Sequence, residues 1–432
     1  MSHRHFDNDQ VGRYFGYFMS LLFLTFIFLG SLFNDSTIRL AWGDLGAPIP
    51  LEGSGRLRHL FDALDQRGQG KGIVRLSHIG DSHIIADFWT GEMRDRLQKR
   101  FGDGGRGFVL GGEMWRSYGQ RHVWHYTEGE WVVSNLKRGK DTGVFGPGGA
   151  ALICEKLSCT TGIETREGQR SSRFDILEVF TLGHSQGGNY QLKVDGRINE
   201  TFSTFSPWLN VLKHRVLLPL SHHKVSVSPG GKQGELWLFG FSLKNSQGGL
   251  IYDSIGLNGS QAKHLLKNGN KVLKQAFRHL ESQVLILSFG INEIFDRGYE
   301  RNKYAFELEY LLKVLRDPDD ILTQKTDCIL TGPFAALRRG STPSELEEVY
   351  QIQRSLSEKY HCAFWDAQQA MGGSIRPWQK LKFARKDGVH LSRKGYKRIA
   401  KLFEDSLMLS FMEWKEERLQ KSKQSSLIPQ PK

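Results

Sequence analysis

Three short segments carry residue types suited to acyl transfer: Gly80-Asp81-Ser82-His83, Gly290-Ile291-Asn292-Glu293 and Asp387-Gly388-Val389-His390. Ser82 offers a hydroxyl, a weak nucleophile until a neighbouring base takes its proton. His390 is the candidate base. Asp387, three residues earlier, could hold the second ring nitrogen, fix the tautomer and stabilise the imidazolium. Asn292 could donate its side-chain amide to the oxyanion that forms when an ester carbonyl is attacked. Each segment alone has a plainer reading. Gly-Asp-Ser makes a helix-capping turn, Asn292 could brace a loop after a strand, and Asp387 to His390 reads as a loop entering a helix. Their joint occurrence, in this order on alternating strands and helices, points to chemistry.

The elements that must position these groups follow a strand–helix rhythm. Gly72 to Ile79 reads as a buried strand ending at Gly80, and a helix from Ile84 to Phe101 follows with Phe88, Met93, Leu97 and Phe101 at near-helical spacing. After Leu250 to Ile255, a helix runs to Leu280, and the strand Val284 to Phe289 leads into the Asn292 segment. Further strands are expected at 327–331 and 362–365, with helices at 56–67, 304–316, 344–360 and from Ser392 towards Phe411. This implies a parallel sheet of about five strands covered on both faces. Ser82 then stands at the carboxyl end of a strand, where ligands bind in open α/β sheets. Between Glu113 and Gly249 the helical periodicity disappears. Short alternating runs separated by Gly, Asn, Ser and Pro indicate an antiparallel sandwich inserted into the α/β domain.

With these segments in hand, the chain resembles the SGNH (GDSL-type) hydrolases, named for one Ser, Gly, Asn and His in successive blocks. The resemblance implies a three-layer, flavodoxin-like α/β fold with a parallel sheet. It assigns Ser82, Asp387 and His390 as the catalytic triad and Ser82, Gly259 and Asn292 as oxyanion donors, with no metal or other cofactor. Gly259 fits the second block, with Gly256 a competing assignment. Glu293 departs from the Asp common in the third block, though Glu still allows a loop-bracing hydrogen bond. Within the family the chain is similar to the peptidoglycan O-acetylesterases. The likeness lies in Gly-Asp-Ser-His, the Phe-Gly-Asp-Gly-Gly run at 101–105, Asp-Ser-Ile-Gly-x-Asn-Gly at 253–259, Gly-x-Asn-Glu, and a carbohydrate-binding-like β-domain between the first two blocks.

From Tyr14 to Phe33 the chain is apolar and uncharged, about the twenty residues needed to cross a bilayer. The bulky residues at its exit favour an uncleaved anchor over a cleaved signal peptide. Arg4 and Arg13 on the near side place the body in the periplasm of a bacterial inner-membrane protein. The expected organisation is a tail at 1–13, the anchor at 14–33, a linker at 34–55, hydrolase parts at 56–112 and 250–412, the β-sandwich at 113–249, and a frayed basic tail at 413–432. A net charge of +13 suggests an anionic partner such as a membrane surface or cell-wall polymer. No nucleic-acid signature accompanies it.

Cys154 and Cys159 are close enough to close a small disulfide loop in an oxidising compartment, whereas Cys328 and Cys362 read better as buried free thiols. His78, Asp81 and His83 form a weak metal candidate. His222 and His223 read as exposed surface. Trp124, Trp131, Trp208 and Trp237 could stack on sugars but read mostly as sandwich core. The whole points to a membrane-anchored serine esterase acting on an O-acetylated cell-envelope polysaccharide. An SGNH-type O-acetyltransferase and a glycan-binding scaffold with a vestigial triad are the alternatives.

Overall fold

Five apolar runs pair side by side into one parallel sheet. Their spatial order is Gly249–Gly256, Ile73–Gly80, Val284–Ser288, Asp327–Thr331 and Ala363–Trp365. All their residues except Ile73 are buried. A sheet covered on both faces selects such continuous apolar runs over alternating ones. Numbered along the chain, the order is 2-1-3-4-5, which reverses between the first and third strands. In open α/β sheets the crevice at that reversal receives the ligand. The segments carrying Ser82, Gly259 and Asn292 leave the carboxyl ends of the first, second and third strands, so the topology delivers all three to the same crevice.

The computed structural model describes residues 45–426 apart from 116–117, 138–143, 157 and 232–233. The expected tail and anchor at 1–33 lie outside the described residues. Among those described, no helix is long and apolar enough to cross a membrane.

The helix expected from Ile84 to Phe101 is two helices, Ser82–Ile85 and Trp89–Phe101. Between them Asp87 adopts φ 51°. Its buried carboxylate accepts from Arg94 at 2.8 and 3.2 Å, Arg106 at 2.8 Å and the Arg121 N–H at 3.0 Å. An ionic hub thus sets the break, which periodicity cannot show. The helix expected to run to Leu280 likewise divides at Gly269 into a 3-10 turn, Ala262–Asn268, and Asn270–Arg278.

The last helix runs from Arg393 to Ser426, so most of the segment expected to fray is helical. Phe411 and Trp414 contact Phe61 at ring separations of 5.6 and 5.7 Å. Lys415 pairs with Asp65 at 2.9 Å and Arg418 with Asp62 at 2.6 Å. These contacts hold the added turns against the helix Arg58–Gly68.

The β-rich segment departs through Gly107–Leu110 and returns through Leu236–Lys244, and these two strands pair antiparallel. Its ends are therefore neighbours, as an insertion requires. Together with the intervening strands they form a six-stranded and a five-stranded sheet, antiparallel throughout. The strand Asn189–Val194 alternates half-buried and buried residues, the pattern of a strand with one face inward. The expectation that its tryptophans are mostly core fails for two of four. Trp237 is buried and Trp131 partly so, but Trp124 and Trp208 are 58% and 72% exposed. His223 is buried rather than exposed, because its ring nitrogens pair with Asp195 at 2.7 Å and the Pro219 carbonyl at 2.8 Å.

All four cysteines pair. Cys154–Cys159 closes the expected small loop. Cys328 and Cys362 are joined as well, contrary to the free-thiol expectation. The register that sets Ile329 opposite Ala363 brings the preceding residues within a Cα separation of 4.7 Å, inside the range a disulfide spans.

Candidate active site

Ser82 owes its position to the end of the first strand. Gly80 lies opposite Gly256 and Ser288 in the sheet, and a Cβ there would collide with the Ser288 carbonyl and with Ile84. Asp81 then caps the short helix, its Oδ1 accepting from the His83 N–H at 2.9 Å. Ser82 is the first helical residue, half-buried at the crevice.

His390 reaches the same place from the loop before the last helix. Its Nε2 is 3.0 Å from Ser82 Oγ, and its Nδ1 is 3.0 Å from Asp387 Oδ2. An ionised carboxylate only accepts, so Nδ1 carries the hydrogen and Nε2 is left free to accept the serine proton. Asp387 Oδ1 accepts from the N–H groups of Val389 and His390, both at 2.9 Å. Burial alone would raise the Asp387 carboxyl. Those two N–H groups and the His390 ring outweigh it and hold the group below its ordinary range. Gly388 permits the tight return at φ 76°.

The candidate oxyanion side is less simple. Gly259 adopts φ 67° in the turn after the second strand, with Asn292 Oδ1 4.0 Å from where its Cβ would be. Gly256 sits within the strand against Ile85 N and Asp81 O, so of the two glycines Gly259 is the one at the crevice. The backbone N–H groups of Ser82 and Gly259 have no hydrogen-bond partner among the described residues. Asn292, by contrast, donates to Asp81 Oδ2 and to the Ser260 carbonyl, both at 2.9 Å. An amide group has two hydrogens, so both are engaged. The structure therefore brings Asn292 to the crevice but turns its donors towards the loop. Neither contact is signalled by the sequence, because the Ser260 acceptor is a backbone carbonyl and Asp81 lies 211 residues away.

Glu293 braces this loop, accepting from Gly290 N at 2.9 Å and Ala262 N at 2.8 Å. Burial pushes its carboxyl up to about 7 despite those N–H groups. Asp81 is also pushed up to about 7, by burial first; the His83 N–H opposes the rise and the nearby Glu293 charge adds to it. His83 Nδ1 pairs with the Tyr396 hydroxyl at 2.9 Å. Burial, then the neighbouring His390, lowers its ring to about 3 and keeps it neutral. His78 points elsewhere, its nitrogens meeting Tyr252 Oη at 2.9 Å and Ser288 Oγ at 2.6 Å. The structure thus does not bring His78, Asp81 and His83 to one point, and no metal-ligating cluster is found among the described residues. A cavity of about 20 Å³ lies beside the crevice, lined by Asp81, His83, Trp89 and Phe334 among others.

A hydroxyl, an imidazole and a carboxylate in series at the switch point of a 2-1-3-4-5 parallel sheet form an arrangement suited to acyl transfer. The GDSL-like lipase/acylhydrolase family model matches residues 229–398. That range holds Gly259, Asn292, Asp387 and His390 but begins after Ser82, which the β-rich segment separates from the rest. The chain carries a GDSL-like lipase/acylhydrolase domain and is an esterase. It is similar to a solved peptidoglycan O-acetylesterase at 26% identity and a TM-score of 0.68, over 82% of this chain and 96% of that one. Shorter likenesses include a putative GDSL-like lipase from Parabacteroides merdae (21% identity, TM-score 0.31, 38% of this chain and 74% of that one). Another is an acetyl xylan esterase (17% identity, TM-score 0.30, 37% of this chain and 81% of that one). No curated protein matches the sequence.

Proposed function

We propose that this esterase removes O-acetyl groups from a cell-envelope glycan, with peptidoglycan as the polymer, through an acyl-enzyme on Ser82. The observation that carries the reading is the unbroken Ser82–His390–Asp387 series at 3.0 Å per link. The likeness to a peptidoglycan O-acetylesterase over most of both chains supports the choice of substrate. Ser82 Oγ attacks the acetyl carbonyl as its proton passes to His390 Nε2, and the carbonyl π pair moves onto oxygen. The N–H groups of Ser82 and Gly259 receive that oxyanion. Asn292 joins them by releasing one of its two present partners. Collapse expels the sugar oxygen, which takes the proton from His390. Water, deprotonated by the same ring, then attacks the acetyl carbon, and collapse breaks the bond to Ser82 Oγ, which takes the proton back from His390 as acetate leaves.

In this reading the β-rich segment is an inserted domain that shapes polymer access, and the exposed Trp208 suits stacking on a sugar ring, whereas the Arg166 guanidinium lies over the Trp124 ring at 3.5 Å. Residues 14–33 anchor the chain in a bacterial inner membrane with the body in the periplasm. The pairing of all four cysteines supports an oxidising compartment.

The test is mass spectrometry of O-acetylated peptidoglycan fragments before and after incubation with the protein. Loss of acetyl groups with matching release of acetate is expected, and Ser82→Ala should abolish it together with labelling by a serine-directed phosphonate. Acetyl transfer to an added oligosaccharide without free acetate would assign a transferase instead. An unchanged acetyl content would reject both.

A further inference from the structure

Lys137 belongs to the β-rich segment, two residues past the strand Val132–Asn135, yet it reaches the catalytic crevice. Its ammonium occupies the place a Cβ on Gly259 would take, and Asn292 Oδ1 lies 4.0 Å from that same point. The absence of a side chain at 259 is therefore what admits this cation. The backbone beneath it is fixed. The Lys137 N–H donates to Asn135 Oδ1 at 3.0 Å, the Leu136 N–H donates to the Gly149 carbonyl at 3.0 Å, and the Leu136 side chain is buried. Among the described residues the Lys137 ammonium has no carboxylate partner.

The crevice has a use for a cation there. Asn292, the side chain assigned to the oxyanion by resemblance, spends both amide hydrogens on Asp81 and Ser260. Until Asn292 releases one of them, only the N–H groups of Ser82 and Gly259 face a developing negative charge. A fixed positive charge beside them stabilises that charge without reorganising during the reaction. It would act more strongly in a half-buried crevice than in open water.

We propose that Lys137 is a catalytic residue contributed by the β-rich segment: its ammonium contacts the tetrahedral oxyanion beside Gly259 and completes the oxyanion site. The segment then does more than govern polymer access, since the hydrolase sheet alone carries an incomplete site. This inference rests on the acyl-enzyme reading of Ser82.

The experiment uses the full chain and a small neutral ester, 4-nitrophenyl acetate, so that no charged or polymeric substrate is involved. Lys137→Met is expected to lower kcat about 10- to 100-fold, somewhat less than the loss of an in-line oxyanion donor, with KM within about twofold. The rate of Ser82 phosphonylation should fall in parallel, because the phosphonyl oxygen occupies the oxyanion position. Lys137→Arg, which keeps the charge, should recover a large part of both rates. Lys137 is exposed, so both variants should melt at the wild-type temperature. A Lys137→Met kcat within twofold of wild type would overturn the proposal. So would equal losses in the Met and Arg variants, or a loss that appears only with a polymeric anionic glycan, which would assign Lys137 to substrate binding. Failure of the wild-type protein to hydrolyse the ester or to be labelled at Ser82 would instead reject the acyl-enzyme reading, and this inference with it.

Discussion

Carboxylates at the catalytic end of the parallel sheet and at its seam with the β-rich segment are alike in burial and opposite in behaviour. Asp81 and Glu293, at the crevice, are pushed up to about 7 by burial. Asp87 and Asp253, at the seam, are held below their ordinary range although burial opposes this. The partners explain the difference. The crevice carboxyls receive neutral donors: the His83 N–H and Asn292 amide on Asp81, and the Gly290 and Ala262 N–H groups on Glu293. The seam carboxylates face guanidinium groups. Asp253 accepts from Arg75 at 2.7 and 3.0 Å, and also from Ser77 and the Phe108 N–H that opens the β-rich segment. Glu178 extends the seam with Lys244, Lys213 and Arg215. Cations offset the desolvation of a buried charge where single N–H groups do not. The seam is thus ionic and holds two parts together, whereas the crevice keeps carboxyls that can change state near neutral pH.

The largest effect should come from breaking the seam. Asp253→Ala leaves the Arg75 guanidinium, 2% exposed, with only Ser242 Oγ at 3.2 Å among its side-chain partners. Removing one partner of a buried pair typically costs about 3–5 kcal/mol. The urea midpoint of unfolding should fall accordingly, and a change under about 1 kcal/mol would show that the seam does not depend on this pair.

The two disulfides sharpen the same comparison. Cys328–Cys362 staples neighbouring strands of the parallel sheet across 34 residues, and Cys154–Cys159 closes a loop of 5 in the β-rich part. The chain-entropy relation gives about 4 kcal/mol for the first and about 2 kcal/mol for the second. Paired Cys→Ala variants compared by urea denaturation should rank in that order. The reverse ranking would mean that loop length is not what governs the stabilisation here.

Much of this architecture was legible in the residues, for identifiable reasons. The strands at 73–80 and 284–288 read correctly because sheets buried on both faces select continuous apolar runs, and the segments at 80–83 and 290–293 stand where they were expected because they abut those runs. Glu293 was legible as a brace, since a longer carboxylate still reaches two N–H groups. What stayed hidden depended on partners distant in sequence. The break at Asp87 needs Arg94, Arg106 and Arg121 together. The Cys328–Cys362 bond needs the register of two strands. The added turns after Phe411 need Phe61, Asp62 and Asp65. Lys137 stood unmarked because its meaning comes from the vacant side of a glycine far along the chain.

An effect of similar size concerns pH. Asp81 and Glu293 bind protons more tightly in the folded chain, at about 7, than in the unfolded chain, at about 4. Their contribution to stability is fully present below about pH 4. It is lost as pH rises, on the order of 1 kcal/mol per pH unit per group, until both are ionised above about 7. The seam carboxylates act in the other direction and in a lower window. Glu281, lowered to about 2 mainly because Lys213 and Lys244 outweigh its burial, gives up its contribution as pH falls through that value. Wild-type protein should therefore have a lower urea midpoint at pH 8 than at pH 5. Glu293→Gln should be less stable overall, because its amide meets an N–H where the carboxylate accepted one, but should show a shallower slope. An unchanged slope would move the titration elsewhere.

The smallest effect should come from the outer face of the β-rich segment. Trp208 and Leu217 are 72% and 74% exposed, in contrast to the parallel sheet, whose large side chains are buried. The Trp208 backbone is held by Ser206 Oγ, which donates to its carbonyl at 2.8 Å and accepts from its N–H at 3.3 Å. Both bonds survive truncation of the side chain. Trp208→Ala and Leu217→Ala should therefore each shift unfolding stability by no more than about 0.5 kcal/mol, although the same change at the buried Trp237 should cost about 3–5 kcal/mol. A loss above about 1 kcal/mol at either exposed site would mean that the face is covered in solution. A concentration dependence of the midpoint in wild type, absent from the variant, would then identify a second copy of the chain as the cover.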